Sequence, residues 1–180
     1  GQAFDMLDLG VGSGAVLLAV LAERPAARGL GTDVSDEALA VARENAANLG
    51  LAGRAALLRT QWARGLGDAT FDLVVSNPPY IPSADIERLE PEVREHDPRL
   101  ALDGGPDGLD AYRALAPEVW RVLREGGVFA VEIGPDQAAA VTALFSAEGF
   151  DALQTVPDLA GRDRVVTGVK NSLGSRLANP

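Results

Sequence analysis

Residues 8–14 read DLGVGSG, and this stretch joins an apolar run at Asp5–Leu9 to an apolar helical segment at Gly14–Glu23. Because glycine has no Cβ atom, the backbone can turn tightly here and approach a bound molecule closely. The unpaired N–H groups at the start of the following helix would face that molecule. A strand, a glycine-rich turn and a helix in this order predict the first unit of an α/β fold.

The chain beyond this unit repeats the alternation of strand and helix. Brief apolar runs bounded by Gly, Pro or Asp predict five parallel strands, and helical-period segments predict four helices. The predicted strands are Asp5–Leu9, Arg28–Asp33, Arg54–Arg59, Phe71–Ser76 and Gly127–Ile133, and the predicted helices are Gly14–Glu23, Asp36–Leu49, Leu109–Arg124 and Asp136–Glu148. Ser35 or Asp36 can cap the second helix. Glycines can end the last three predicted helices: Gly50, Gly126 and Gly149.

The last two apolar runs, Phe150–Val156 and Arg164–Val169, are separated by too few residues for a crossover helix, so we expect them to pair antiparallel. The sequence thus predicts an α/β fold with a doubly wound, seven-stranded and mostly parallel sheet that ends in an antiparallel hairpin. In such a sheet the ligand crevice lies beyond the carboxyl ends of the first and fourth strands, where the winding reverses. We expect one domain over 1–170 and a flexible tail over 171–180.

The composition excludes several kinds of site. The chain has 180 residues, of which 47% are apolar, so it can bury a core without metals or cross-links. The absence of cysteine excludes disulfides, thiolate metal sites and thiol catalysis, and it favours a cytoplasmic location. His96 is the single histidine, which disfavours His-based zinc sites and a Ser-His-Asp triad, so we expect no metal.

Charge and hydropathy limit the partners. The 26 acidic and 16 basic side chains give a net charge of −10, which disfavours stable nucleic-acid binding by the chain alone. The longest apolar run, Ala15–Ala22, has eight residues, well short of the roughly 20 that span a bilayer. We therefore expect neither a nucleic acid nor a membrane as a stable partner.

An acidic residue stands where the second strand ends. Asp33 follows Gly14 by nineteen residues, and at that place its carboxylate can accept hydrogen bonds from ribose hydroxyls. The glycine loop and Asp33 together predict a nucleoside-binding site. They leave the cofactor open, because Gly10, Gly12 and Ala15 also fit the spacing of a dinucleotide-binding loop.

The fourth predicted strand runs into NPPY at 77–80, where the crevice is expected. Two consecutive prolines stiffen the turn and remove two N–H donors, so the turn presents hydrogen-bond acceptors. If the Asn77 side-chain oxygen and the Pro78 carbonyl each accept one N–H, they hold a planar NH₂ group in line with a methyl-sulfonium donor. The ring of Tyr80 can pack on that planar group. We therefore predict that Asn77, Pro78, Pro79 and Tyr80 form the catalytic turn, called the acceptor turn below.

The chain resembles the class I S-adenosylmethionine-dependent methyltransferases over nearly its whole length, from Asp5 to about Lys170. More narrowly, it is similar to the HemK/PrmC family, the glutamine methyltransferases of peptide chain release factors. Three segments besides the acceptor turn carry this likeness: DPRLALDGGPDGLD at 97–110, VEIGPDQ at 131–137 and DLAGRDRV at 158–165. The resemblance implies a Rossmann-like fold and S-adenosylmethionine as the cofactor, with S-adenosylhomocysteine as its product.

The resemblance also implies roles for single residues. Asn77 and the Pro78 carbonyl would hold the glutamine amide of the Gly-Gly-Gln loop of a release factor, while Tyr80 shapes that pocket. The expected cofactor-binding residues are Asp8, Gly10, Gly12, Gly14, Asp33, Gln61, Trp62 and Asn77. Gln61 stands where the family usually has an acidic residue before the tryptophan, and its side-chain oxygen can still accept a hydrogen bond from the adenine amine.

Family members carry a helical amino-terminal domain that helps to recognise the protein substrate. This chain begins almost at the first strand, so we expect a catalytic-domain fragment. The leading hypothesis is methyl transfer to the side-chain nitrogen of a release-factor glutamine. A glutamine of a ribosomal protein and an exocyclic amine of a nucleic-acid base are alternative acceptors. Two other classes stay open: binding of a nucleoside or a protein partner without turnover, and an oxidoreductase with the same glycine loop.

Overall fold

The computed structural model describes residues 2–90 and 98–171, and within them seven strands form one sheet between two layers of helices. The strands are β1 (Asp5–Leu9), β2 (Arg28–Asp33), β3 (Ala55–Arg59), β4 (Phe71–Ser76), β5 (Leu123–Glu132), β6 (Asp151–Pro157) and β7 (Asp163–Val169). The helices are α1 (Ala15–Glu23), α2 (Asp36–Asn48), α3 (Arg99–Leu102), α4 (Asp110–Val122) and α5 (Ala138–Glu148), and a 3-10 helix covers Ile86–Arg88.

The strand order is β3-β2-β1-β4-β5-β7-β6. Strands β1 to β5 are parallel to one another, and β7 runs antiparallel to both β5 and β6. The chain moves outward from β1 to β2 and β3, and it then returns to the other side of β1 with β4. The predicted doubly wound sheet, its terminal hairpin and the place where the winding reverses are therefore confirmed.

Each face of the sheet packs against its own pair of helices. Met6 and Leu7 are neighbours in β1 and point to opposite faces, as successive strand residues do. Met6 is buried on the face of α1 and α2, together with Leu39 of α2. Leu7 is buried on the face of α4 and α5, together with Tyr112 and Phe145. Because both faces are buried, the strands are held in place, and so are their carboxyl ends, where the candidate site lies.

The third predicted helix, α4, ends two residues before its predicted last residue. Leu123 has extended backbone angles (φ −70°, ψ 140°) and pairs with Phe71 of β4, so β5 begins there. The prediction that Gly126 ends the helix is wrong. Gly126 has φ +76° and lies inside β5, where the β4–β5 register is irregular. Its N–H donates to the Lys170 carbonyl at 2.7 Å, which holds this segment in the sheet.

The fourth predicted helix, α5, begins at Ala138 instead of Asp136. Asp136 has φ +62°, a left-handed conformation that does not belong to a right-handed helix. Other helix signals are confirmed. The Ser35 hydroxyl accepts a hydrogen bond from the Ala38 N–H at 3.1 Å and caps α2, and Gly149 ends α5 with φ +112°. The remaining boundaries differ from the predictions by at most one residue.

The 3-10 helix and α3 were not predicted; they lie on either side of 91–97. His96, the first residue of the 97–110 segment and the predicted tail beyond Asn171 lie outside the described residues. None of the helices in the described part of the chain has the length and hydropathy required of a transmembrane span.

Candidate active site

The glycine loop turns sharply at the end of β1 and is held against β2. The N–H groups of Gly10 and Val11 both donate to the Thr32 carbonyl, at 2.9 and 2.8 Å. Gly10, Gly12 and Gly14 all have positive φ, at +72°, +54° and +82°, which explains why glycine stands at each position. A Cβ atom added to Gly12 would meet nothing within 4 Å, so the backbone there borders open space.

Asp33 joins this loop to the start of α2. One carboxylate oxygen accepts from the Gly12 N–H at 2.9 Å, and the other accepts from the Ser35 N–H at 2.9 Å. Each carboxylate oxygen can accept more than one hydrogen bond, so both keep capacity for further donors. Asp33 therefore lies at the edge of the loop with capacity for further hydrogen bonds.

Asp8 lies behind the loop rather than on its surface. It is only 3% exposed, and its Oδ2 accepts a hydrogen bond from the Leu17 N–H of α1 at 3.1 Å. Burial raises the pKa of Asp8 to about 7; the Leu17 N–H acts in the opposite direction, and the nearby charge of Asp33 adds to the rise. Asp8 thus ties β1 to α1, which makes it a positioning residue for the glycine loop.

Gln61 and Trp62 follow β3 and are brought beside Asp33. The Thr60 N–H donates to the Asp33 carbonyl at 3.0 Å, which places the next two residues at the same edge. Trp62 has φ +49°, and the Cζ3 atom of its ring lies 3.6 Å from where a Gly10 Cβ atom would be. The ring therefore covers Gly10, while Gln61 is exposed. The structure brings Trp62 to the glycine loop, and Gln61 precedes it in the chain.

The acceptor turn begins next to the glycine loop. Ser76 and Leu9 are register partners in the β1–β4 pair, and the Ser76 hydroxyl donates to the Leu9 carbonyl at 2.7 Å. The chain continues from Leu9 into Gly10 and from Ser76 into Asn77. The two predicted motifs therefore leave the sheet side by side, at the point where the winding reverses.

The prediction for the acceptor turn concerns two oxygens, the side-chain oxygen of Asn77 and the carbonyl oxygen of Pro78. Asn77 is exposed, while Pro78 is buried and Tyr80 is half-buried. Among residues 2–90 and 98–171, no group donates a hydrogen bond to the Asn77 side-chain oxygen or to the Pro78 carbonyl. Both oxygens therefore keep capacity for a donor, on a turn that the prolines stiffen.

The segment 103–110 packs against the chain that leaves the acceptor turn. Ile81 forms a parallel bridge with Asp103, and the Ser83 hydroxyl donates to Asp103 Oδ1 at 2.5 Å. The hydrogen bond from the Ser83 hydroxyl has the largest effect on the pKa of Asp103 and lowers it, and the Gly105 N–H lowers it further. This carboxylate therefore fixes a tight loop against residues 81–83, so part of the 97–110 segment lies beside the turn.

Sequence reasoning missed a layer of polar residues beneath the turn. The Tyr80 hydroxyl donates to Glu132 Oε1 at 3.5 Å, and Arg164 Nε lies 3.8 Å from the same oxygen. The Tyr112 hydroxyl donates to the Glu132 carbonyl at 2.8 Å, and burial raises the pKa of Tyr112. Gln137 also belongs to this layer. The 131–137 segment was the signal in the sequence that could have found this layer. It supported the resemblance to the HemK/PrmC family, but none of its residues was assigned a role.

Within residues 2–90 and 98–171, no group of three or more His, Cys, Asp or Glu side chains could hold a metal ion.

Residues 2–90 match the family described as Methyltransferase small domain. The release factor glutamine methyltransferase of Caulobacter vibrioides is 71% identical over 174 residues, which cover 97% of this chain and 60% of that protein. The release factor glutamine methyltransferase of Rhodospirillum rubrum is 50% identical over 94% of this chain and 52% of its own length. The chain thus spans little more than half the length of these relatives.

Solved structures share the fold. The crystal structure of a methyltransferase from Pyrococcus furiosus has a TM-score of 0.70 at 16% identity, covering 94% of this chain and 76% of that one. A ribosomal protein L11 methylase from Lactobacillus delbrueckii subsp. bulgaricus has a TM-score of 0.64 at 23% identity, covering 95% and 72%. At such identities the likeness establishes the fold alone.

The sheet order, the two loops at its carboxyl edge and the small-domain match define a methyltransferase domain of class I. The curated relatives are more specific. At 71% and 50% identity over almost all of this chain, they are release factor glutamine methyltransferases, the group that its motifs resemble.

Proposed function

We propose that the chain transfers a methyl group from S-adenosylmethionine to the side-chain amide nitrogen of the glutamine in the Gly-Gly-Gln loop of peptide chain release factors. One observation carries the proposal: the Leu9–Ser76 pair sets the glycine loop and the acceptor turn side by side. The names of the curated relatives, at 71% and 50% identity, support the same class of substrate.

The glycine loop and Asp33 fit the cofactor that the proposal requires. The open space above Gly12 leaves room for a ligand against the backbone, and Gly10 and Gly14 give the loop its shape. Asp33 accepts hydrogen bonds from the ribose hydroxyls with the capacity that its two backbone bonds leave free. Asp8 contributes through α1, because its carboxylate is buried and bound to backbone.

The residues after β3 complete the proposed cofactor pocket. Trp62 covers Gly10 and borders the adenine ring. Gln61, exposed beside it, accepts a hydrogen bond from the adenine amine through its side-chain oxygen. Asn77 closes the pocket on the side of the acceptor turn, since it follows the strand that pairs with β1.

The acceptor turn holds the substrate amide. Asn77 Oδ1 and the Pro78 carbonyl each accept one N–H of the glutamine NH₂ group, and Pro78 and Pro79 keep these oxygens in place. The Tyr80 ring packs on the amide plane. The two acceptors stabilise the positive charge that develops on the nitrogen as it attacks.

When bound, S-adenosylmethionine supplies the methyl group on a sulfonium: the amide nitrogen forms the new N–C bond, the S–C bond breaks with its electron pair going to sulfur, and the amide loses a proton to water. The reaction as written requires neither a metal nor a membrane. We further propose that residues 1–170 act as one catalytic domain in the cytoplasm, in keeping with a sequence without cysteine. The net charge of −10 favours protein contacts over stable nucleic-acid binding.

Methylation of a purified bacterial release factor by the chain and by its Asn77→Ala variant tests this proposal. We expect label from methyl-labelled S-adenosylmethionine on the glutamine of the Gly-Gly-Gln peptide, located by mass spectrometry. Loss of one of two acceptors should reduce the rate about 100-fold, the scale measured for removal of one preorganised polar group.

Asn48→Ala is the matched control, because Asn48 is exposed and is the last residue of α2, outside the acceptor turn. Its rate should equal that of the unchanged chain. Equal methylation by the Asn77 variant would remove the proposed role of Asn77. Label found in RNA or DNA and not in the release factor would replace the glutamine by a base amine as the acceptor.

A further inference from the structure

The side chain of Gln137 lies beneath the acceptor turn and contacts four separate parts of the chain. Its Nε2 donates to the Tyr80 carbonyl at 2.9 Å and to the Gly108 carbonyl at 3.2 Å. Its Oε1 accepts from the Gly134 N–H at 2.9 Å and lies 3.4 Å from the Tyr112 hydroxyl, whose proton goes to the Glu132 carbonyl at 2.8 Å. A primary amide has two N–H donors, and both are used here.

The acceptor turn needs such support because it can make few bonds of its own. Pro78 and Pro79 have no N–H groups, and the sheet ladder of β4 ends at Ser76. The next regular contact is made by Ile81, whose N–H donates to the Leu102 carbonyl at 3.0 Å. Between Ser76 and Ile81, the backbone carbonyl of Tyr80 accepts a hydrogen bond, and the donor is the side chain of Gln137.

Close packing leaves no space for a substitute contact. A Cβ atom on Gly134 would lie 2.8 Å from Cδ2 of the Tyr80 ring and 3.0 Å from Gln137 Oε1. A Cβ atom on Gly108 would lie 2.7 Å from Gln137 Nε2. Both glycines therefore permit the amide and the Tyr80 ring to sit directly against backbone.

We propose that Gln137 is a positioning residue for methyl transfer: it fixes Tyr80, and through Tyr80 the adjoining Asn77 and Pro78 oxygens, against the turn after β5. This inference rests on the function proposed above. Glutamine is required because the site presents two carbonyl acceptors on one side and the Gly134 N–H donor on the other. Gln137 acts on the geometry of the acceptor and has no bond to the glycine loop.

The Gln137→Glu variant tests the proposal with almost no change in shape. It replaces the two N–H donors by an oxygen that faces two carbonyls, so the bonds to Tyr80 and Gly108 are lost. We expect kcat for release-factor methylation to fall about 10- to 100-fold, the scale of a misplacement of about 1 Å. The Kd for S-adenosylmethionine, measured by calorimetry, should change much less than kcat, because Asn77 is the one proposed cofactor residue on the turn while the glycine loop, Asp33 and Trp62 are untouched.

Amide hydrogen exchange supplies a readout that needs no substrate. The Ile81 and Ser83 amides, bonded to the carbonyls of Leu102 and Gly105, should exchange about tenfold faster in Gln137→Glu, while β1 amides keep their rates. Gln137→Met, which removes the donors without adding a charge, should behave in the same way. Gln154→Glu makes the same chemical change on exposed β6 and should leave every quantity unchanged.

The outcomes separate this inference from the proposed function. Faster exchange at residues 81–83, with a loss of kcat that is much larger than the change in Kd, supports the role of Gln137. Unchanged exchange and kcat in both Gln137 variants would overturn it, as would an equal loss of cofactor binding. A folded chain without any release-factor methylation would refute the proposed function, and the exchange rates would still decide whether Gln137 holds the turn.

Discussion

Asp8 and Asp33 are acidic residues of neighbouring strands with opposite environments. Asp33 reaches the edge of the loop and binds two N–H groups, whereas Asp8 is buried and binds one. The glycine-loop motif predicted Asp33 and its place, because spacing from the loop fixes the end of β2. It could not predict that Asp8 points inward, because the direction of a side chain at a strand end depends on how α1 packs.

The raised pKa of Asp8 predicts a dependence of stability on pH. Its folded pKa of about 7 lies above the ordinary value of 3.8, so from pH 4 to pH 7 the folded state holds a proton that the unfolded state has lost. The free energy of unfolding should therefore fall as the pH rises through this range. Relative to Asp8→Asn, the unchanged chain should lose up to about 4 kcal/mol between pH 4 and pH 7, and little more above it.

Urea unfolding of both proteins at several pH values measures this difference. Glu23→Gln removes a carboxylate from an exposed position, and its curve should run parallel to that of the unchanged chain. If the Asp8→Asn curve is also parallel, the burial of Asp8 has no energetic consequence and the account of its pKa is wrong.

Among the structural elements, the glycine loop needs glycine for two reasons: the backbone has positive φ, and the proposed cofactor lies against it. Gly12 and Gly50 both have positive φ, +54° and +69°, and a Cβ atom on either would meet nothing within 4 Å. Alanine at each position should therefore cost a similar free energy of unfolding, about 1–2 kcal/mol. Only Gly12→Ala should also weaken the binding of S-adenosylmethionine, by about tenfold or more. The methyl group of the alanine would enter the space that we assign to the cofactor.

Calorimetric titration and urea unfolding of the two variants check this prediction. Gly50 lies beyond the end of α2, so Gly50→Ala introduces a similar backbone strain away from the proposed cofactor site. Binding that is equally weakened in both variants, or unchanged in Gly12→Ala, would show that the space above Gly12 does not receive the cofactor.

Hydrophobic period and turn residues were sufficient to predict the seven strands and four main helices of the described chain. They failed where two signals competed. Gly126 is typical of a helix end, yet the pairing of Leu123 with β4 and the bond to Lys170 draw this segment into β5. Asp136 favours a helix start, yet Gln137 turns back to the acceptor turn and the helix begins after it. Such tertiary contacts leave no local pattern in the sequence.

At the scale of the whole molecule, the site is assembled from the carboxyl ends of β1, β2, β3 and β4. The doubly wound order brings these ends together, so the predicted topology was enough to predict that the glycine loop, Asp33 and the acceptor turn meet. The support beneath the turn comes from residues 103–112 and 132–137, on elements distant along the chain. Its bonds follow from packing and could be seen only in three dimensions.

A crystal structure of the chain with S-adenosylhomocysteine and a peptide containing Gly-Gly-Gln tests the central claim most directly. We expect Asn77 Oδ1 and the Pro78 carbonyl each to lie about 2.7–3.2 Å from the glutamine side-chain nitrogen, with that nitrogen facing the sulfur of the cofactor. A structure in which these two oxygens point away from the nitrogen, or in which the peptide glutamine binds elsewhere, would contradict the account.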